Sequence, residues 1–341
     1  MDTEVNEADA AAMGGNGSSP RDDGPCGGAE ADMPGASARK GGLDQPDAER
    51  HAGALDRMRA RAAFDEYVSD YDPGDPKIEL KIVHTLHVAE LCERIAASLG
   101  VPSRDVDLAW LSGLLHDIGR FEQVRRYGTF DDRTSCSHAA LGVEILFGED
   151  GSRAGAKGAQ GGADAPSTAG GAATGRDGGT LGEFVDPSAL ERDEVAMLRA
   201  AIAHHSAYRL PDGLDPRTRT LCCVLRDADK IDILRANIDT PTSAIQDVPE
   251  ERIRASRVTP GVERGFYEHR TLRREERSTP LDALVSYACF VYELVYPESR
   301  RIADEQGFVY RLLARPVDDP QTRQTLARMS DHLRDWLRAS Y

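Results

Sequence analysis

The apolar residues of this chain recur at helical spacing, and helix start and stop signals bracket the segments that contain them. One such segment runs from about 77 to 99 and ends at Gly100-Val101-Pro102, where a C-cap glycine is followed closely by proline. Convincing runs of alternating apolar and polar residues, which are typical of half-buried strands, are absent. The pattern therefore predicts an all-α fold.

The same reasoning predicts eight helices. Their approximate ranges are 52–68, 77–99, 103–119, 137–147, 187–206, 217–238, 280–303 and 320–339. Ser103 is expected to cap the third helix, and Asp186-Pro187 to supply the cap and first residue of the fifth.

Two segments have almost nothing with which to form a core. Residues 1–50 contain only Val5 and Leu43 from the Leu/Ile/Val/Phe set, and residues 151–182 contain only Leu181. Both are rich in glycine, so they cannot bury enough apolar surface to offset the cost of ordering their backbone. We predict a disordered acidic tail over 1–51 and a single helical domain over 52–341, interrupted by a disordered Gly-rich insertion at 151–182.

Charge and targeting patterns narrow the function classes. The net charge is −16, which disfavours general binding to nucleic acid because phosphate backbones repel an acidic protein. The N-terminus lacks the basic and apolar regions of a signal peptide, and no apolar run is long enough to span a bilayer. The cysteines lack CxxC spacing, and neighbouring Cys222 and Cys223 fit small core residues. We expect a cytoplasmic protein with reduced thiols and no membrane contact.

Helical geometry orients some of the histidines toward the predicted core. At about 100° per residue, His84 lines up with the apolar stripe of Val88, Leu91 and Ile95, whereas His87 lies about 60° off that stripe. An imidazole on an apolar face is costly to bury unless it has a partner. His84 is therefore predicted to point inward.

On two further helices, one of several neighbouring candidate ligands lies on the apolar face. His205 lies closer to the apolar face of its helix than His204 does. Asp229 shares the apolar face of the next helix, Asp227 points nearly the opposite way, and Asp232 is intermediate and stays open as a ligand. A lone inward histidine is more often a hydrogen-bonded core residue than a ligand. Together with His116-Asp117 and His138, however, the set favours a metal site.

Three sequence strings resemble the HD-domain superfamily of metal-dependent phosphohydrolases. They are HTLHVAELCERIA, LSGLLHDIGRFEQ and RDADKIDIL, in that order. GTFDDRTSCSHAALGVEIL and AIAHHSAYRLP look like the two intervening histidine motifs of the dinuclear members. The resemblance covers about 52–239, and the Gly-rich insertion departs from it between the third and fourth motifs. It implies a helical HD-type bundle and six metal ligands: His84, His116, Asp117, His138, His205 and Asp229.

Such a ligand set suits two divalent metals. Its nitrogen and oxygen donors fit Mn, Fe, Co, Zn or Ni, with Mg possible at a carboxylate-rich position. Asp117, beside a ligating histidine, is our candidate for the bridging ligand. Such a pair of metals would make hydroxide available as a nucleophile toward phosphorus near neutral pH.

A phosphate substrate would also need positively charged contacts. Arg120 and Lys230 are nearest in sequence to the predicted ligands, although solvent-exposed charges at helix ends explain both equally well. Arg125, Arg126 and Arg209 are weaker candidates, and Glu122 is a possible group for orienting a water molecule. The basic run 269–277 is interpreted as a solvated helix face rather than a nucleotide contact.

The leading functional hypothesis is a phosphohydrolase that cleaves a small soluble phosphate ester, such as a nucleotide or signalling nucleotide. A di-iron oxygenase with the same ligand pattern is the alternative within the superfamily. A non-catalytic metal or nucleotide sensor is the alternative from another class.

Overall fold

The computed structural model describes residues 55–148, 179–246 and 248–341, which are helical and contain no β-strand. The all-α prediction is confirmed. The predicted tail 1–51 and residues 151–178 of the predicted insertion lie outside the described residues. The helices are α1 (Arg57–Ser69), α2 (Pro76–Ser98), α3 (Ser103–Leu115), α4 (Ile118–Tyr127), α5 (His138–Phe147), α6 (Leu181–Phe184), α7 (Arg192–His204), α8 (Pro216–Asp239), α9 (Thr242–Gln246), α10 (Glu250–Arg254), α11 (Pro260–Tyr267), α12 (Pro280–Ala288), α13 (Pro297–Gln306), α14 (Phe308–Leu313) and α15 (Pro320–Arg338).

Helix α2 lies at the centre of the bundle and forms where the sequence predicts it. The Asp75 side chain accepts the backbone N–H of Lys77, and Pro76 occupies the first turn, where its missing N–H costs nothing. The helix ends before Gly100, whose φ of +66° is the left-handed conformation that glycine adopts most easily.

Close backbone approaches hold α2 against its neighbours. It packs against α3 and α8. A Cβ added to Gly113 of α3 would lie 2.7 Å from the Cα of Ala89 in α2, so only glycine allows this separation. The close approach of α3 to α2 brings the C-terminal end of α3 beside His84.

Helix α4 was not predicted as a separate element. The third predicted helix was expected to end near Gly119, but α3 ends at Leu115 and α4 begins at Ile118. Gly119 lies inside α4, where its Cβ would come within 2.3 Å of the carbonyl oxygen of His138. Here glycine serves the packing of α4 against α5 rather than helix termination.

Two predicted caps are also wrong. Pro102, not Ser103, is the N-cap of α3, and no side chain caps that end. Asp186 caps only the short 3-10 turn Pro187–Ala189, and α7 starts later, where the Glu194 side chain accepts the backbone N–H of Glu191. A capping box downstream therefore begins this helix instead of the Asp-Pro pair.

The predicted helix over 280–303 is interrupted. It consists of α12, a 3-10 turn over Cys289–Glu293, and α13, which starts at Pro297. Proline cannot continue a helix from the preceding turn without losing a hydrogen bond, so a new helix begins there. The short helices α9, α10, α11 and α14 were not predicted, because segments of five to eight residues have too few turns for a periodic pattern.

Asp227 joins the C-terminal helices to α8. Its carboxylate accepts the backbone N–H groups of Val295 and Tyr296 at 2.9 and 3.2 Å, and it is fully buried. A connected apolar core then runs through the described residues from Leu55 to Leu337, and Cys222 and Cys223 are buried in it. Within the described residues, no helix has the length and apolar character required to cross a bilayer.

At its C-terminal end, the predicted insertion is shorter than expected. Residues 179–182 belong to the described chain, and Thr180 donates its backbone N–H to the carbonyl of Ile145 at 2.9 Å. Leu181 begins α6 and packs against the core. Residues 179–182 are therefore part of the folded bundle rather than of a disordered insertion.

Candidate metal centre

The predicted ligands come from five different places in the bundle and meet at one point. His84 lies in the middle of α2, and His116 and Asp117 form the junction between α3 and α4. His138 is the first residue of α5, and His205 follows the last turn of α7. These five side chains are buried, with at most 4% of the surface of any residue exposed, and the side chain of the sixth predicted ligand, Asp229 of α8, is 14% exposed.

Backbone carbonyls orient two of the imidazole rings. Nδ1 of His116 lies 2.7 Å from the carbonyl oxygen of Gly113, and Nδ1 of His205 lies 2.7 Å from that of Ile202. A carbonyl oxygen only accepts, so Nδ1 carries the proton in both rings. In the neutral rings, Nε2 is therefore an unprotonated donor atom that faces the centre.

Carboxylates orient the other two rings. Nδ1 of His84 lies 2.7 Å from Asp232, which also accepts two hydrogen bonds from Arg235. Nδ1 of His138 lies 2.6 Å from Asp132. The helical position of Asp232 leaves open whether it is a ligand. In the structure it lies on the Nδ1 side of His84 and orients that ring. Carboxylates in this position are typical partners of metal-binding histidines.

The four Nε2 atoms converge in two pairs. Nε2 of His84 is 3.3 Å from Nε2 of His116, and Nε2 of His138 is 3.0 Å from Nε2 of His205. Lone pairs at this separation repel each other unless a proton or a cation lies between them. At the His138–His205 pair, burial lowers the pKa of His138 to about 4, which disfavours a proton on that ring near neutral pH. The donor set therefore fits metal cations.

Asp117 faces both histidine pairs. Its Oδ2 lies 3.6 Å from Nε2 of His84 and 3.4 Å from Nε2 of His116. Its Oδ1 lies 3.7 Å from Nε2 of His138 and 3.5 Å from Nε2 of His205. One carboxylate with an oxygen toward each pair has the geometry required of a bridging ligand, as expected from its place in the sequence.

Asp229 completes the first group of donors. Its Oδ1 lies 3.1 Å from Nε2 of His84 and 3.8 Å from Nε2 of His116. The structure therefore brings all six predicted ligands together: two groups of three share Asp117, and Asp229 joins the first of them through His84 and His116.

The local charges favour ionised carboxylates. Burial alone would raise the pKa of Asp117, but Lys81 and His116 outweigh it and hold that pKa well below its usual range. Burial and Lys81 also act to lower the pKa of His84, yet contacts with Asp229 and Asp232 raise it overall. A cation in place of the His84 proton would satisfy the same carboxylates.

His87 and His204, which lie off the apolar faces of their helices, do not face the centre. The His87 side chain is 42% exposed, and its ring contacts Asp232 from outside. His204 ends α7, with its side chain half-buried and outside both groups of converging donors.

Lys230 is not at the centre, contrary to its proposed role as a phosphate contact. Its Nζ lies 3.0 Å from Glu293, and both side chains are largely buried. The preceding residue, Asp229, faces the donors. Since successive residues of a helix differ in direction by about 100°, Lys230 points toward the C-terminal helices instead.

Lys81, rather than Lys230, places its ammonium group beside the predicted ligands. Its Nζ lies 2.6 Å from Oδ2 of Asp117 and 5.3 Å from the ring centroid of Phe130. Lys81 precedes His84 by three residues, a spacing that makes the two side chains neighbours on one helix face. The spacing of three residues from His84 therefore indicates Lys81, whereas adjacency to Asp229 indicates Lys230, which lies elsewhere.

Arg120 lies at the centre, where it also holds the side chain of Asp132 in place. Its Nη1 donates to Asp132 and to the carbonyl of Phe130, both at 2.8 Å, so it braces the carboxylate that orients His138. Its buried Nε has no hydrogen-bond partner among the described residues and lies 3.8 Å from Asp117. The buried side of the guanidinium therefore faces the Asp117 carboxylate.

The weaker candidates lie elsewhere. Glu122 forms ion pairs with Arg125 and Arg126 and belongs to neither group of converging donors. Arg209 is exposed on the loop after α7.

A cavity of about 610 Å³ opens beside the converging donors. His84, Lys81 and Arg120 line one end of it, and its volume lies in the range typical of small-molecule sites. The centre is thus accessible to a ligand from one side.

The family comparison agrees with this geometry. Residues 82–160 match the model of the HD domain family, a range that includes His84, His116, Asp117 and His138. No curated protein and no solved structure matches the chain. The match and the converging His/Asp donors together confirm the resemblance seen in the sequence motifs.

Proposed function

We propose, from the premise that this chain carries an HD domain, that it is a metal-dependent phosphohydrolase. Its substrate is a small soluble phosphate ester of the nucleotide or signalling-nucleotide class. The observation that supports this most strongly is the convergence of four imidazole Nε2 atoms and two carboxylates beside a cavity lined by Lys81 and Arg120.

Two divalent metals per chain would occupy the two donor groups. His84, His116, Asp117 and Asp229 would hold the first, and His138, His205 and Asp117 the second. The donors suit Mn, Fe, Co, Zn or Ni, with Mg at the carboxylate-rich position. When bound, such a pair supplies Lewis acidity toward a phosphate ester and makes a nucleophile available from water near neutral pH.

The side chains of this protein perform the remaining tasks. Asp232 and Asp132 hold the His84 and His138 rings in place, so their donor atoms need no reorganisation. Lys81 and the free Nε of Arg120 direct positive charge to where the ester phosphate would lie. Burial strengthens these electrostatic contacts because it excludes water.

The test is metal analysis of protein purified without oxygen, followed by phosphate release from nucleotides, cyclic dinucleotides and sugar phosphates. We expect about two metals per chain and release from at least one ester class. Chelation should abolish turnover. Mn, Fe or Co should restore it better than Ca, which prefers all-oxygen sites.

Three outcomes would contradict the proposal. Oxygen consumption with a phosphonate or polyol, without phosphate release, would identify a di-iron oxygenase. Stoichiometric metal and nucleotide binding without turnover of any ester would identify a sensor. Release of phosphate that survives both chelation and Asp117→Ala would show that another site or protein is responsible.

A further inference from the structure

The cavity beside the metal centre has a second positively charged end. Arg274 and Arg277 line it together with Ser278 and Tyr287, whereas Lys81 and His84 line the end at the centre. Arg274 is exposed, as expected for this part of the basic run 269–277, but it belongs to the 3-10 turn Arg274–Glu276 rather than to an α-helix.

Among the described residues, no carboxylate accepts a hydrogen bond from Arg277. Its Nη2 donates to the carbonyl of Leu272 at 3.0 Å, and its guanidinium carbon lies 5.9 Å from the ring centroid of Tyr287. Its Nε is buried and has no hydrogen-bond partner within the described ranges, and Glu275 acts on the guanidinium through Coulomb attraction rather than through a hydrogen bond. Within the part of the chain that the structure describes, a half-buried positive charge is thus held without a directly paired carboxylate.

This arrangement differs from that of nearby Arg270. Hydrogen bonds with Glu276 and Glu268 raise the pKa of Arg270, whereas burial lowers the pKa of Arg277. Burying a charge without a partner is costly, and an anionic ligand would offset that cost.

Arg274 is a weaker anion contact. Its guanidinium lies 3.3 Å from Asp131, which also lines the cavity and pairs with Arg133. A negative charge already meets Arg274, so the free positive charge at this end belongs to Arg277.

Apolar side chains also line the cavity and form an apolar wall. Ile233 and Ala236 of α8 line the cavity there, together with Ile245 and Val248. A ligand that reaches from one end to the other would therefore place an uncharged part, such as a ring or an alkyl segment, against this wall.

We propose that the substrate is bis-anionic, with its scissile phosphate at the metal centre, an uncharged middle on the apolar wall and a second anionic group at Arg277. The inference rests on the proposed phosphohydrolase function, because it takes the metal centre as the reacting end.

The test is a calorimetric titration of full-length, Mn-loaded protein in oxygen-free buffer with alkane-1,ω-diphosphonates of three to eight carbons. The matched alkyl monophosphonates are the comparison. The carbon–phosphorus bond prevents hydrolysis, so binding is measured without turnover. At the best length the diphosphonate should bind at least about tenfold more tightly than its monophosphonate, because the second group gains a charge-assisted contact.

Arg277→Gln should remove this advantage and leave the monophosphonate affinity unchanged, and Arg277→Lys should keep part of it. Arg270→Gln is the matched control and should keep the full advantage. No advantage at any length in the unmodified protein would overturn the inference, even if Arg277→Gln does not fold. Equal weakening of both ligands by Arg277→Gln would also overturn it. Failure of the phosphohydrolase proposal appears separately, as absence of ester hydrolysis by the metal-loaded protein.

Discussion

At the scale of single residues, the side chains around Asp117 divide into metal donors and groups that orient them. Every histidine of the centre has its Nδ1 engaged by a carbonyl or carboxylate, and every Nε2 faces inward. Metal content should therefore depend on which ring is removed, not on the number of histidines in the chain.

Substituting single ligands should separate the two metals. His84→Ala or Asp229→Ala should lower total metal and thermal stability, because each leaves a cluster of unsatisfied donors at the four-ligand group. His138→Ala or His205→Ala should leave about one metal per chain. Elemental analysis of each purified variant measures this.

The controls are His87→Ala and His204→Ala, whose rings lie outside the converging donors. Both should keep the full metal content. Loss of metal in either control, with retention in His84→Ala or His205→Ala, would reverse the assignment of inward faces.

Lys81 and Lys230 provide a second residue-scale comparison. Lys81→Ala should lower kcat/KM about 10- to 100-fold with metal retained, since a charge-assisted hydrogen bond contributes about 1.5–3 kcal/mol. Lys230→Ala removes only the ion pair with Glu293 and should change kcat/KM less than about twofold. A larger kinetic loss in the Lys230 variant would restore the role suggested by its neighbour Asp229.

At the scale of secondary-structure elements, helix junctions set the geometry of the centre. His116 and Asp117 lie between α3 and α4, and His138 begins α5. The distance between Asp117 and His138 therefore depends on how closely α4 and α5 pack, which Gly119 allows.

Gly119→Ala should force α4 and α5 apart, because the added Cβ would lie 2.3 Å from the carbonyl oxygen of His138. We expect a destabilisation of about 1–3 kcal/mol and preferential loss of the second metal. Chemical denaturation and elemental analysis measure the two effects.

Gly261→Ala in α11 is the matched control, because nothing lies within 4 Å of its added Cβ. It should be neutral or stabilising by up to about 1 kcal/mol, as expected for alanine in place of a helical glycine. If Gly119→Ala behaved in the same way, the close approach of α4 to α5 would have no importance for the centre.

At the scale of the whole molecule, the bundle is continuous on both sides of the Gly-rich segment. Thr180 bonds to Ile145 through both its backbone N–H and its hydroxyl, so the chain beyond the segment returns to the end of α5. The centre combines His138 before this segment with His205 after it.

Replacing residues 149–178 with a short Gly-Ser linker should leave the fold and the centre intact. Loop closure entropy changes by about 0.6 kcal/mol per doubling of length, so stability should stay within about 2 kcal/mol of the full chain. The measurement is thermal unfolding at matched metal content, with metal analysis alongside. A large fall in melting temperature would indicate that the segment packs against the bundle.

The sequence by itself determined the all-α class and the inward faces of α2, α7 and α8. Helical periodicity is a local property, so an imidazole or carboxylate on an apolar stripe reveals its direction without knowledge of the neighbouring helices. The preference for His84 over His87, and for Asp229 over Asp227, follows from that periodicity alone.

Only the tertiary structure decided the partners of the long charged side chains and the breaks between the C-terminal helices. Lys81 and Lys230 both lie next to predicted ligands along the chain or the helix, yet one reaches Asp117 and the other Glu293. A flexible side chain takes its direction from the carboxylates near it in space, and those come from distant parts of the sequence. Likewise, the unpartnered Nε of Arg277 within the described residues becomes visible only when the surrounding helices are in place.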